Sequence, residues 1–81
     1  MIATLTKTNR QTEVDVFKTT VKTEEDAAEI INLLKEYFPN HLINFDLDDC
    51  DKILRIEGVA NNKIFIKNIL LQEGFICDIL I

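Results

Sequence analysis

The hydrophobic pattern of this chain switches back and forth between a period of two and a period of about 3.6, and the order of those switches constrains its fold more than any other feature. From Glu13 to Val21 the residues are β-branched and aromatic (EVDVFKTTV), which favours a strand. Ala27, Ile30, Ile31, Leu34, Tyr37 and Phe38 then recur at helical spacing, and Pro39-Asn40 ends the run, so a helix is predicted over Glu24 to Phe38. Thr23 is its expected N-cap, and Glu24, Glu25 and Asp26 set negative charge against the positive end of the helix dipole. Leu42 to Asp48 alternates, with Ile43, Phe45 and Leu47 on one face, the pattern of a half-buried antiparallel strand. A turn at Asp49 to Asp51 leads to a strand over Lys52 to Glu57, stopped by Gly58. Asn61 or Asn62 caps a second helix containing KIFIKNILLQE, Gly74 closes it in a left-handed conformation, and Phe75 to Ile81 forms the last strand.

The order strand, helix, strand, strand, helix, strand predicts a ferredoxin-like α+β fold. Its sheet has the order 4-1-3-2, with both helices on one face. The topology brings Thr23, Asp26, Cys50 and Gly74-Phe75 to one end of the sheet. A chain of 81 residues holds one core. Residues 1–12, Thr-rich with Ile2 and Leu5 the only sizeable apolar side chains, read as a tail or an extra strand, and 13–81 as the single domain.

A net charge of −5 opposes the phosphate backbone, so neither nucleic acid nor an anionic membrane is an expected partner. No apolar run approaches the roughly 18 to 20 residues of a spanning helix, and Met1 to Arg10 lacks the features of a signal peptide. A cytoplasmic location follows as the expectation. Cys50 and Cys77 form no C-x-x-C pair and suit a reducing compartment as free thiols.

The Phe38-Pro39 end of the first helix, the Ile56-Glu57-Gly58 close of the third strand and Glu73-Gly74-Phe75 before the last strand carry a resemblance to the heavy-metal-associated domains of copper chaperones and metal-transporting ATPases. It covers roughly Phe17 to Ile81. In that family a Met-Thr-Cys-x-x-Cys segment binds a soft metal ion at the start of the first helix. The equivalent segment here is Val21-Lys22-Thr23-Glu24-Glu25-Asp26, with Thr23 and Asp26 where the resemblance puts thiolates. Oxygen donors do not replace thiolates for Cu(I) or Zn(II), so no cofactor or metal is expected, and Thr23, Asp26 and Cys50 are weak metal candidates only. The cap explains Thr23 and Asp26 more simply.

Asp46, Asp48, Asp49 and Asp51 form an acidic knot around the hairpin, and Asp46, Asp48, Cys50, Ile53 and Glu57 mimic a calcium loop in spacing, but Asp51 stands where its glycine is needed and the flanks are strands, so a solvated hairpin is expected. Cys50 is expected to be exposed and Cys77 to be a small core residue. His41 is expected to be exposed and without a partner. Acylphosphatase-like catalysis would need an Arg where the first loop is Lys-Thr-Glu-Glu, and RNA recognition would need aromatics where the third strand offers Ile53, Arg55 and Glu57.

If Phe17 and Thr19 face the helices, Val14, Val16, Ile53, Ile76 and Leu80 share the uncovered face of the sheet, and an apolar patch there marks an interface. The function expected is a non-enzymatic interaction or structural module. It would act as a homodimer or bind another protein through the open sheet face, unless the first twelve residues fold over that patch. Two alternatives stay open: a metal carrier using Cys50 and Asp26, and a small-ligand regulatory domain of the ACT type, whose glycine-containing first loop is missing here.

Overall fold

The computed structural model describes residues 11–80. The expectation of a tail or extra strand over residues 1–12, and the question of whether it covers the sheet, therefore lie outside the described residues for 1–10, while Thr12 opens the first strand opposite Val59. Six elements follow one another: β1 (Thr12–Thr19), α1 (Glu24–Tyr37), β2 (Leu42–Asp46), β3 (Ile53–Val59), α2 (Lys63–Gln72) and β4 (Cys77–Ile79). The strands form one sheet in the order β2-β3-β1-β4, antiparallel at every step. This is the ferredoxin-like arrangement expected from the periodicity, with 4-1-3-2 read from the opposite edge.

The pleat divides each strand between two environments. Asp15, Phe17 and Thr19 of β1, Leu54 and Ile56 of β3 and Ile43 of β2 are buried beneath the helices. Ala27, Ile30 and Leu34 of α1 and Ile66, Ile69 and Leu70 of α2 supply the other half of the core. Burial of one such aliphatic or aromatic side chain stabilises the fold by about 1.5 to 3 kcal/mol.

Local chemistry sets the element ends. Thr23 Oγ1 accepts from the Asp26 amide at 3.1 Å, as the expected N-cap does. Asn62, rather than Asn61, caps α2 by accepting from the Phe65 amide at 3.1 Å. At the other end of α2 the amides of Gly74 and Phe75 donate to the carbonyls of Leu71 and Leu70 at 3.0 and 2.9 Å. That crossed pair requires the left-handed φ of 92° that Gly74 adopts.

β1 spans Thr12–Thr19 rather than Glu13 to Val21, and three further strand boundaries differ from the sequence expectation for a visible reason. β2 stops at Asp46, not Asp48, because Asp46 Oδ1 turns back to the Asp48 amide and Asp49 Oδ1 to the Asp51 amide. β4 is confined to Cys77–Ile79, since Phe75 is held by the end of α2. β3 is not stopped by Gly58 but continues through it to Val59. The glycine is there to make room: a Cβ at that position would stand 2.3 Å from His41 Cδ2. His41 is correspondingly not the exposed residue expected. Its ring packs on the Gly58 backbone and on Phe38, with ring centroids 4.9 Å apart. Both ring nitrogens are shielded from solvent and lack a hydrogen-bond partner among the described residues.

Candidate functional site

β1 leaves the sheet between the β2–β3 hairpin and the approach to β4, and hydrogen bonds gather all three. The Thr19 amide donates to the carbonyls of Asp51 and Lys52 at 3.1 and 3.2 Å, and its hydroxyl donates to Lys52 O at 2.7 Å. The Thr20 amide donates to Ile76 O at 3.1 Å, and the Ile76 amide donates back to Thr20 Oγ1 at 2.9 Å. The end of the sheet where the resemblance would put a metal is therefore assembled as the topology requires.

Its donors are committed elsewhere. Thr23 is occupied as a cap, and Asp26 joins no cluster of metal-ligating side chains among the described residues. The donor atoms of Asp49, Cys50 and Asp51 do lie within 4.8 Å of one another. However, Asp49 Oδ1 accepts from the Asp51 amide at 2.8 Å, and Asp51 Oδ1 lies 3.8 Å from Lys18 Nζ. The Cys50 thiol is exposed at this turn, and Cys77 is buried. Burial pushes the Cys77 thiol up to about 12, with Lys67 lowering and Asp78 raising it, so Cys77 is a packed, unreactive group.

On the uncovered face, the register sets out the five expected interface residues row by row. Asn44, Arg55 and Val16 stand side by side across β2, β3 and β1, and the Leu80 amide donates to Val16 O at 2.8 Å, placing Leu80 next in that row. Val14 lies one step along β1 from Val16, so Val14, Val16 and Leu80 form one continuous apolar corner. Ile53 stands between Asp46 and Lys18, and Ile76 is separated from Leu80 by Asp78. The structure brings three of the five together and sets the other two among charges.

The apolar surface continues where sequence reasoning did not look, around the β4 edge onto α2. Ile64 and Leu71 are 69% and 63% exposed on the outer face of α2, and Ile76 and Leu80 are 59% and 47% exposed beside it. A groove of about 230 Å³ runs between α2 and β4, lined by Leu71, Phe75, Ile76 and Cys77, with Lys67 and Asp78 also lining it. The signal was available: Ile64 and Leu71 are seven residues apart and share a helix face, while Ile66, Ile69 and Leu70 already account for the buried one.

The groove at the opposite edge, between α1 and β2, has the same position in the other half of the fold and an acidic lining. It holds about 410 Å³ over Ala27, Ala28 and Ile31, and Glu24, Asp46 and Asp48 line it. α2 contains Lys63 and Lys67 and no acidic residue. No family model matches the chain, and neither a curated protein nor a solved structure is detectably similar to it.

Proposed function

We propose that this chain is a non-enzymatic association module, and that it self-associates through the side of its sheet bounded by β4. The observation that carries the reading is the distribution of exposed apolar surface. Six of the nine exposed large hydrophobic side chains among the described residues, Val14, Ile64, Leu71, Ile76, Ile79 and Leu80, lie on β4, on the outer face of α2 or on the sheet corner next to them, while Tyr37, Leu42 and Val59 stand on α1, β2 and β3. α1, the matching helix of the other half, turns Glu25, Ala28, Glu29, Asn32 and Glu36 outward instead. Contiguous apolar surface of this kind costs free energy in water and is recovered by burial in a contact.

The heavy-metal-associated resemblance supplies a fold for this reading and no thiol pair. Metal carriage through Cys50 has less support, because the neighbouring carboxylates are engaged by the turn and by Lys18.

Sedimentation equilibrium from micromolar to millimolar concentration tests the proposal. The wild-type chain is expected to associate with rising concentration. Val16→Asp and Leu80→Asp should each weaken that association about tenfold or more, equivalent to about 1.4 kcal/mol, with unchanged circular dichroism. A wild-type chain that stays monomeric at millimolar concentration would overturn the reading.

A further inference from the structure

We infer that the free edge of β4 pairs with the free edge of β2 of a second copy, head to tail, so that the sheet of one molecule continues into the next. This rests on the association reading above and names its partner, register and symmetry.

Strand direction allows it without rearrangement. The four strands alternate in direction from β2 to β4, so β2 and β4 run oppositely. A following copy in the same orientation therefore presents its β2 antiparallel to β4, with its α1 on the same side of the sheet as α2. Among the described residues, the backbone groups needed have no partner within the sheet. Ile76 O and Leu80 N bond to β1, so by antiparallel alternation the amides and carbonyls of Cys77 and Ile79 point outward from β4. The same alternation carried across β1 and β3 turns the backbone groups of Ile43 and Phe45 outward from β2.

Charge favours this pairing over a β2-to-β2 contact, which would set Glu24, Asp46 and Asp48 beside their own copies. A β4-to-β4 contact would set Lys67 beside its own copy, offset only by Asp78 at 3.9 Å. The head-to-tail contact instead brings Lys67, whose side chain is 40% exposed, beside the carboxylates of the β2 edge. Charge and hydrophobicity also select the register. With Cys77 opposite Phe45 and Ile79 opposite Ile43, Leu80 faces Leu42, itself 60% exposed, Asp78 faces Asn44 and Ile76 meets Asp46 at the end of the contact. A shift of two residues in one direction puts Asp78 against Asp46, and in the other puts it against Leu42. Such a contact is heterologous, so copies add into chains or close into a ring rather than stopping at two.

Cysteine pairing tests both register and symmetry. Leu80 and Leu42 form a non-hydrogen-bonded pair, whose Cα atoms approach to about 4.5 Å, within disulfide reach. On a Cys50→Ser background, Leu42→Cys and Leu80→Cys chains should form a disulfide only when mixed and mildly oxidised. A chain carrying both substitutions should give a ladder of dimers, trimers and higher species. Lys67→Glu should lower the yield about tenfold. A disulfide formed by Leu80→Cys alone would mean a β4-to-β4 dimer, and one formed by Leu42→Cys alone a β2-to-β2 dimer. Either overturns the head-to-tail inference and leaves the association reading standing. Association in sedimentation without the mixed disulfide overturns the inference in the same way, and no association at all removes both.

Discussion

Cys77 and Asp15 are titratable side chains that the fold buries. Cys77 is 4% exposed, and burial raises its thiol from 9.0 to about 12, partly offset by Lys67 and reinforced by Asp78. Because the folded value lies above the unfolded one, the thiol's contribution to stability is complete below pH 9.0 and declines as pH rises toward about 12. In that window the unfolded chain gives up a proton that the folded chain keeps. The expected slope is a loss of about 1.4 kcal/mol per pH unit. Urea unfolding of wild type and Cys77→Val across that range isolates the thiol, since every other group is common to both, and parallel curves would refute the assignment. Asp15 is 4% exposed in the middle of β1, where Asn61 Nδ2 donates to its Oδ2 at 2.7 Å and Lys63 Nζ lies 3.5 Å from its Oδ1. Asn61 also reaches the Glu13 carbonyl at 3.3 Å, so the residue ahead of the α2 cap ties that loop to the sheet. Asn61→Ala should destabilise the fold by about 2 kcal/mol, the cost of a buried acceptor losing its donor. An unchanged denaturation midpoint would show that Lys63 alone suffices. The burial of Asp15 was legible, since it shares a face with Phe17 and Thr19 by simple alternation. Its partner was not, because Asn61 and Asn62 look alike in sequence and only tertiary placement gives one to the sheet and the other to the helix.

Among the elements, β3 shows how a residue can be read correctly in type and wrongly in effect. Glycine weakens a strand interior, and that propensity argued for an end at Gly58. In the fold the missing side chain admits the His41 ring, and β3 runs on to Val59. Gly58→Ala should therefore cost about 1 to 3 kcal/mol through overpacking. His41→Ala should recover most of that loss, so a double-mutant cycle is expected to give a coupling energy of about 1 kcal/mol or more. Simple additivity would mean that the ring moves aside freely. Contacts between residues far apart in sequence leave no periodic trace, which is why the two helices and their caps were legible and this pairing was not. α1 matched to within one residue at its C-terminal end, because the Thr23 cap and the acidic first turn are local chemistry. The strand ends at Asp46 and Cys77 depend on turns whose geometry the alternation does not carry.

For the molecule as a whole, the element order was enough to give sheet order and helix side, and it placed β1 in the interior of the sheet, next to β3 and β4. What it did not convey was the asymmetry between the halves, with an acidic groove at one edge and a more apolar one, holding the Lys67–Asp78 pair, at the other. If the β4 side associates, folding and assembly are linked. The melting temperature should then rise with protein concentration in wild type and stay flat in Leu80→Asp. A concentration-independent wild-type transition would contradict that linkage. The same central placement of β1 governs how the chain comes off the ribosome. β1 is made first, yet one of its edges waits for β3 and the other for β4, with Thr19 finally lying opposite Cys77. A nascent chain thus carries β1 with an incomplete set of partners until β4 has been made, and neither half can close the sheet without the other. Folding must be a late, all-or-none event dominated by long-range pairing, and a chain cut short before β4 leaves β1 with one edge open to whatever strand it meets.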